Sequence, residues 1–289
     1  SDMNNYVIIT DSSCDLPASL ADELGVKVLQ LEVNIEGERT KFNNEIDIKD
    51  FYATLRTKKA VTTSAVNIDR FIDVFERELA GGNDILYIGF SSGLSSTYNA
   101  GKTAADELNE KYPDKKILTV DSLSASLGQG LLVTLAAKKK SEGATLEELC
   151  QYVEDTKWHL CHWFTVDDLF FLKRGGRVSA ATAVLGTMLS IKPVLHMDNE
   201  GHLINVEKAR GRQPAIKALL EHMKKLAIEP RKQTIYISHG DCYDEAKSLA
   251  DMIKAEFGIN DILISEVGPV IGAHSGPGTI ALFFLGSER

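Results

Sequence analysis

Short apolar runs alternate with longer amphipathic stretches throughout the first half of the chain. The apolar runs predict buried strands at residues 7–10, 27–33, 85–89 and 116–120. The amphipathic stretches predict helices at 18–24, 67–80, 97–109, 125–141 and 145–157, while residues 34–50 are polar and irregular. Strands that alternate with helices form βαβ units, so this half predicts an α/β domain with a mainly parallel sheet.

The second half has a different pattern. Two β-like runs, 191–197 and 203–208, flank Asp198-Asn199-Glu200-Gly201, which is typical of a hairpin turn. Helices are predicted at 212–226 and 243–257, and strands at 234–238, 262–267 and 280–285. This mixture predicts an α+β domain with a mixed or antiparallel sheet. With a boundary near 157–161, the two domains are residues 1–158 and 159–289.

Charge and composition disfavour several classes of function. The 289 residues include 32 Lys and Arg against 41 Asp and Glu, a formal net charge of −9. Such a chain neutralises few phosphates, which argues against nucleic acid as a partner. No apolar run approaches the roughly 20 residues of a membrane span. Four scattered cysteines without a CxxC pair suit a reduced compartment, so we expect a cytoplasmic protein.

Hydroxyl side chains follow three of the predicted strands. The clusters are Thr10-Asp11-Ser12-Ser13, residues 91–97 (SSGLSST), and Asp121-Ser122 with Ser124, and a further cluster, Thr62-Thr63-Ser64, precedes the helix that Asn67 caps. Ligands of open parallel sheets bind beyond the carboxyl ends of the strands. Helix N-termini at this edge also favour anions. Since Ser and Thr are also ordinary turn and capping residues, each cluster alone is ambiguous. Together they favour a site for a small anion such as a carboxylate.

Three other patterns indicate specific chemistry only weakly. Residues 96–103 are similar to the end of a phosphate-binding loop, but Ser96 replaces the required glycine and the Gly-Lys-Thr falls in mid-helix. A hydrolase that uses Ser95 with His239 or His274 as base remains an alternative. The cluster of His159, Cys161 and His162 does not indicate a metal site, because alternation along a strand turns Cys161 away from His162.

Two glycine-containing motifs of the second half are also candidates. Residues 173–177 (KRGGR) follow an aromatic stretch and suit either the end of a helix or a partner-docking surface. Residues 273–279 (AHSGPGT) predict a constrained loop that presents His274, a residue able to hydrogen-bond a carboxylate or to transfer a proton.

Taken together, these motifs resemble the DegV family of fatty-acid-binding proteins over nearly the whole chain. The shared motifs, in family order, are Thr10-Asp11-Ser12, Asp15-Leu16-Pro17, Thr63-Ser64, residues 91–97, Asp121-Ser122, residues 173–177, Ile191-Lys192-Pro193, residues 208–211 and residues 272–279.

The resemblance implies a long-chain fatty acid held between two domains. Its carboxylate would bind Thr63, Ser64, Ser95, the amide region of Ser96, and His274. A separate fatty acid kinase would supply ATP and magnesium and phosphorylate the bound carboxylate for phospholipid synthesis. Arg210 matches an arginine near that phosphoryl-transfer site, and Arg210 and His274 would assist the transfer. The chain itself would be a carrier rather than an enzyme, with no cofactor or metal of its own.

The chain departs from the family pattern at the proposed head-group site. Ser96 stands where the family has glycine, and Ala65-Val66-Asn67 replaces Gln, Pro and Ser. These changes affect how the ligand is seated more than the fold. Candidate residues along the acyl tail lie in segments 169–172, 184–189 and 281–285. A regulatory lipid sensor without a kinase partner is a further alternative.

Overall fold

A computed structural model of the chain describes residues 5–179 and 190–289. The strands are β1 Tyr6–Asp11, β2 Lys27–Leu29, β3 Glu32–Ile35, β4 Lys41–Phe42, β5 Val61–Ser64, β6 Asp84–Gly89, β7 Ile117–Asp121, β8 Leu160–Thr165, β9 Ile191–Met197, β10 Leu203–Arg210, β11 Ile235–His239, β12 Ile262–Glu266 and β13 Ile280–Leu285. The helices are α1 Ala18–Leu24, α2 Ile48–Arg56, α3 Ile68–Ala80, α4 Thr97–Lys111, α5 Ser126–Ser141, α6 Leu146–Thr156, α7 Phe170–Arg174, α8 Arg212–Leu226, α9 Tyr243–Phe257 and α10 Pro269–Ser275.

The N-terminal half is built on a four-stranded parallel sheet in the order β2-β1-β6-β7, which confirms the predicted α/β arrangement. The whole of β6 is buried because both faces of the sheet are covered. The helix boundaries also follow the sequence signals. Asn67 caps α3 by accepting a hydrogen bond from the Arg70 amide, and Thr145 forms a capping box with Glu148 before α6.

Two predictions for residues 27–50 are wrong. The apolar run 27–33 is not one strand, because the chain leaves the parallel sheet after β2 and enters a separate antiparallel sheet, β4-β3-β5, as β3. Residues 34–50 are not irregular, since they contain β4 and the start of α2. Asp47 caps α2 by accepting from the Asp50 amide, and that helix buries Phe51, Tyr52 and Leu55.

The C-terminal half forms a mixed six-stranded sheet in the order β10-β9-β8-β13-β11-β12. Four neighbouring pairs are antiparallel and only β11 and β12 are parallel, which confirms the predicted mixed α+β character. The hairpin predicted around residues 198–201 joins β9 to β10. Helices α8 and α9 cover one face of this sheet and pack on its apolar residues.

Three apolar clusters place the other face of the six-stranded sheet toward the N-terminal half. One cluster lies between the parallel sheet, the small sheet and helices α2 and α3. The second unites the opposite face of the parallel sheet with α5, α6 and the inner face of the six-stranded sheet. The third lies under α8 and α9. The boundary at residue 158 stays a prediction, although the parallel sheet ends before it and the six-stranded sheet begins after it. Among the helices in the described part of the chain, none is both long and apolar enough to cross a bilayer.

Candidate functional site

An interior cavity of about 240 Å³ lies where the two halves meet. The residues that line it come from both halves and include hydroxyl groups, two histidines, one arginine and many apolar side chains. They are Leu31, Thr63, Ala65, Phe90, Leu94, Ser95, Ser96, Ala125, Ser126, His162, Phe164, Leu172, Arg177, Met197, Leu203, Ser238, Val267, Ile271, His274, Ser275, Thr279, Ala281 and Phe283.

One part of the cavity wall is a hydrogen-bonded pair, Thr63 and His274. Thr63 lies on the short strand β5, and His274 lies near the end of helix α10 rather than in the predicted loop. The Thr63 Oγ1 and His274 Nε2 atoms are 2.8 Å apart. If the Nε2–H donates to Oγ1, the hydroxyl hydrogen of Thr63 is free to donate to a ligand carboxylate. The pair therefore provides an oriented neutral donor.

The imidazole of His274 is held in its neutral form. Burial, together with the positive charges of Arg177 and Arg174, lowers its pKa from 6.5 to about 4. Nδ1 is buried without a hydrogen-bond partner among the described residues and packs on Gly175, where an added Cβ would lie 2.3 Å from it. A neutral ring that donates through Nε2 leaves only a lone pair at this apolar contact.

Arg177 brings a positive charge to the same part of the cavity. The sequence alone did not indicate that this arginine lies near the ligand. Its Nε and Nη2 donate to the Leu94 carbonyl at 3.3 and 3.1 Å, and its Nη1 donates to the Gly175 carbonyl. Burial lowers the pKa of the guanidinium, but arginine remains charged. The motif 173–177 is the end of α7, as one of its two interpretations predicted, and Gly176 has a positive φ that turns the chain toward Arg177.

Ser95 and Ser96 lie at the start of α4, and both line the cavity. The Ser95 hydroxyl donates to Thr97 Oγ1 at 2.9 Å and accepts from the Thr97 amide at 3.1 Å. Ser96 lines the cavity and is also exposed to solvent, so the cavity lies close to the protein surface at this point. Unpaired amides at the start of a helix favour an anion, so this end of the cavity suits a negatively charged group.

Two predicted site residues lie away from the cavity. Successive side chains of a strand point to opposite faces, so Thr63 and Ser64 on β5 cannot both face the ligand. Ser64 instead accepts a hydrogen bond from Asn34 Nδ2 at 3.0 Å. Arg210 is exposed at the end of β10 and does not line the cavity.

The hydroxyl clusters after β1 and β7 do not form an anion site with Ser95. In the first, the Asp11 carboxylate accepts from Tyr87 and from the Phe90 amide, while Ser13 bonds Gln129. In the other, Ser122 donates to the Gly89 carbonyl. These buried groups tie the strand ends together, so the convergence predicted for three clusters is wrong for two of them.

The apolar wall of the cavity is the inner face of the six-stranded sheet. Strand register places Phe164, Ala281 and Ser238 in one row across β8, β13 and β11, and His162 beside Phe283 in the next row. Leu172, Ala281 and Phe283 come from the segments expected to line the tail, whereas segment 184–189 lies outside the described residues. The alternation predicted for β8 holds, because Cys161 packs in the cluster under α8.

The geometry does not favour the hydrolase alternative. A serine nucleophile needs a hydrogen bond to a base, yet Ser95 bonds Thr97, and His274 bonds Thr63. His239 accepts from the Cys242 amide at 3.0 Å and is not among the residues that line the cavity.

Comparison with known proteins identifies the family and the fold of the chain. Residues 5–287 match the model of the family described as "Uncharacterised protein, DegV family". A DegV domain-containing protein of Clostridium perfringens is 45% identical over 99% of both chains. The structure of a Thermus thermophilus DegV family protein, reported for its fatty acid binding, is also similar. That protein is 31% identical to this chain, and the two structures align with a TM-score of 0.87 over 96% of this chain and 98% of the other. The Streptococcus pneumoniae Fatty Acid Kinase (Fak) B3 protein, loaded with linoleic acid, shares the fold at 21% identity, with a TM-score of 0.85 over 97% and 99% of the two chains.

Proposed function

The chain belongs to the DegV family, and on that premise we propose that it binds a long-chain fatty acid in the cavity between its two halves. The observation that carries the proposal is the composition of this one cavity. Hydroxyl donors, a neutral histidine and an arginine line it together with the apolar inner face of the six-stranded sheet. An acid with a long apolar chain matches both kinds of surface.

The carboxylate would bind at Thr63 and beside Ser95, while His274 orients the Thr63 hydroxyl. Thr63 can donate its hydroxyl hydrogen while it accepts from His274, and the start of α4 supplies amide dipoles behind Ser95. Arg177 also lines the cavity, and its positive charge would attract the carboxylate more strongly than neutral donors alone. Charge-assisted hydrogen bonds of this kind contribute about 1.5–3 kcal/mol each.

The acyl tail would provide most of the affinity. Each methylene removed from water contributes roughly 0.8 kcal/mol, so a chain of about 15 methylenes gains on the order of 12 kcal/mol before the costs of binding. Phe164, Ala281 and Phe283 offer an apolar wall for it. Because most of the binding free energy comes from burying the tail, the polar groups of the cavity mainly orient the acid.

We further propose that the chain presents the bound acid to a separate ATP-dependent fatty acid kinase, whose acyl phosphate product supplies phospholipid synthesis. The support is the family resemblance. The Streptococcus pneumoniae protein adds only a shared fold at 21% identity. In this role the chain is a carrier, and the exposed Arg210 would act on the kinase side.

Lipid analysis of two neighbouring variants tests the binding proposal. We expect the purified protein to yield close to one fatty acid per chain by extraction and mass spectrometry. Thr63→Val should weaken binding by about ten-fold or more, the loss expected for one charge-assisted hydrogen bond. Ser64→Ala is the matched control, because its hydroxyl points to Asn34. Folded protein that binds no fatty acid, or equal effects of the two substitutions, would refute the proposed site.

The carrier role requires a second assay. With the ATP-binding subunit of a bacterial fatty acid kinase, ATP and magnesium, the loaded protein should support acyl phosphate formation, measured by hydroxylamine trapping. Arg210→Ala should lower this rate without changing fatty acid binding. Absence of acyl phosphate from loaded protein with an active kinase would favour a regulatory lipid sensor instead.

A further inference from the structure

A second group of polar side chains reaches the cavity away from the carboxylate donors. Ser126 at the start of α5 and Ser238 on β11 both line it, and their hydroxyl oxygens are 3.0 Å apart. The Ser126 hydroxyl donates to Asp15 Oδ2 at 2.7 Å. Both serines are buried.

The network lies about one helix length from the proposed head-group site. Asp15 packs against Gly268, the residue before α10, where an added Cβ would lie 2.6 Å from its Oδ1. His274 lies six residues further along, a rise of about 9 Å at 1.5 Å per residue. A ligand anchored at His274 would therefore pass Ser126 and Ser238 several carbons along its chain.

The backbone at this network is held in an unusual conformation. Asp15 and Ser126 have φ angles of 55° and 52°, a region that residues other than glycine seldom adopt. Such conformations persist where surrounding contacts enforce them, and they concentrate at ligand sites. Here they place the two side chains within hydrogen-bond distance of each other.

The direction of the hydrogen bonds determines what the network can bind. Ser126 has one hydroxyl hydrogen, and Asp15 accepts it. Ser238 must then donate its own hydrogen to Ser126, which leaves the Ser238 oxygen with free acceptor capacity only. Among the described residues Ser238 has no other side-chain hydrogen bond. Its neighbour Ala281 in the same row is small, which leaves space beside this oxygen.

We propose that Ser238, oriented by Ser126 and Asp15, accepts a hydrogen bond from a hydroxyl group carried within the acyl chain of the ligand. The inference rests on the proposed fatty acid binding and specifies its substrate class as hydroxy fatty acids. An acceptor-only oxygen distinguishes a hydroxyl from a keto group, because a ketone has no hydrogen to donate. It also distinguishes among positions of the hydroxyl along the chain.

Binding of a positional series of hydroxystearic acids, a ketostearic acid and stearic acid to lipid-free protein tests this proposal. Burial raises the pKa of Asp15 to about 7, so titrations at pH 8 keep its carboxylate ionised. We expect one mid-chain hydroxy isomer to bind about five- to ten-fold tighter than its neighbouring isomers, the value of one neutral hydrogen bond. The ketostearic acid with oxygen at the same carbon should show no such gain.

Ser238→Ala should abolish the preference for that isomer over its neighbouring isomers, a comparison made within the variant itself. Ser265→Ala is the matched control, since Ser265 lies beside Ser238 on β12 but does not line the cavity. A wild-type protein that ranks all hydroxy isomers equally, or a preference that survives in Ser238→Ala, overturns the inference. Failure of stearic acid itself to bind would instead overturn the proposed function, so the two failures are distinct.

Discussion

The neutral state of His274 makes the stability of the lipid-free protein depend on pH in a defined direction. Its pKa is about 4 in the folded chain, lowered by burial and by Arg177 and Arg174, against about 6.5 in an unfolded chain. Between these values the unfolded chain binds more protons than the folded one. The free energy of unfolding therefore falls as the pH falls from 6.5 toward 4. Above pH 6.5 the histidine is neutral in both the folded and the unfolded chain, so its contribution to stability is fully present there.

The size of this effect follows from the two pKa values. Linkage gives a loss of about 2 kcal/mol between pH 7 and pH 5 from this one residue. The variant His274→Gln keeps an amide donor near Thr63 but cannot titrate, so this loss should disappear in it. Other groups that titrate in the same range affect the wild type and the variant equally. The difference between their free energies of unfolding therefore reports on His274 alone.

Urea denaturation of lipid-free protein at several pH values between 5 and 7.5 measures this difference. The free energy of unfolding of the wild type should decline by about 2 kcal/mol more than that of His274→Gln over this range. Parallel profiles for wild type and His274→Gln would show that His274 is not held neutral by burial.

Two further substitutions test the packing around the cavity. Gly276→Ala should lower the free energy of unfolding by about 1–3 kcal/mol, because Gly276 has a φ of 85° and an added Cβ would lie 2.4 Å from Phe171. Gly143→Ala is the control in the same urea assay. Gly143 also has a positive φ but has open space around it, so this substitution should lower the free energy of unfolding by less. Asp15→Asn should stabilise the protein at pH 8, since burial raises the Asp15 pKa from 3.8 to about 7 and the uncharged form is favoured in the fold. This advantage should shrink by about 3 kcal/mol between pH 8 and pH 5, and an advantage that does not change with pH would contradict the assignment.

The elements with strong local signals could be predicted from the sequence. The cap at Asn67, the hairpin between β9 and β10, and helices α8 and α9 all occur where the pattern placed them. Their boundaries depend on contacts within a few residues, such as a capping hydrogen bond or a tight turn. For the same reason the structure confirms one of the two interpretations of residues 173–177, the end of a helix.

The errors occurred where distant segments decide the outcome. The run 27–33 is evenly apolar, but pairing with β1 and with β5 divides it between two sheets. The hydroxyl clusters look alike in sequence, yet Asp11 is engaged by Tyr87 and the Phe90 amide, whereas Ser95 faces a cavity. Local sequence carries no information about which partner is available across the fold.

The sequence by itself determined the alternation of strands and helices, the family and the residue types able to hold a carboxylate, because these depend on periodicity and on motif order. Only the tertiary structure decided which of those residues meet. It separated Thr63 from Ser64 by strand alternation, joined Thr63 to His274 across more than two hundred residues, and placed Arg177 and Ser238 at the cavity. The physical reason is that a binding site is a set of distances and burial states, and these arise only when sheets and helices pack.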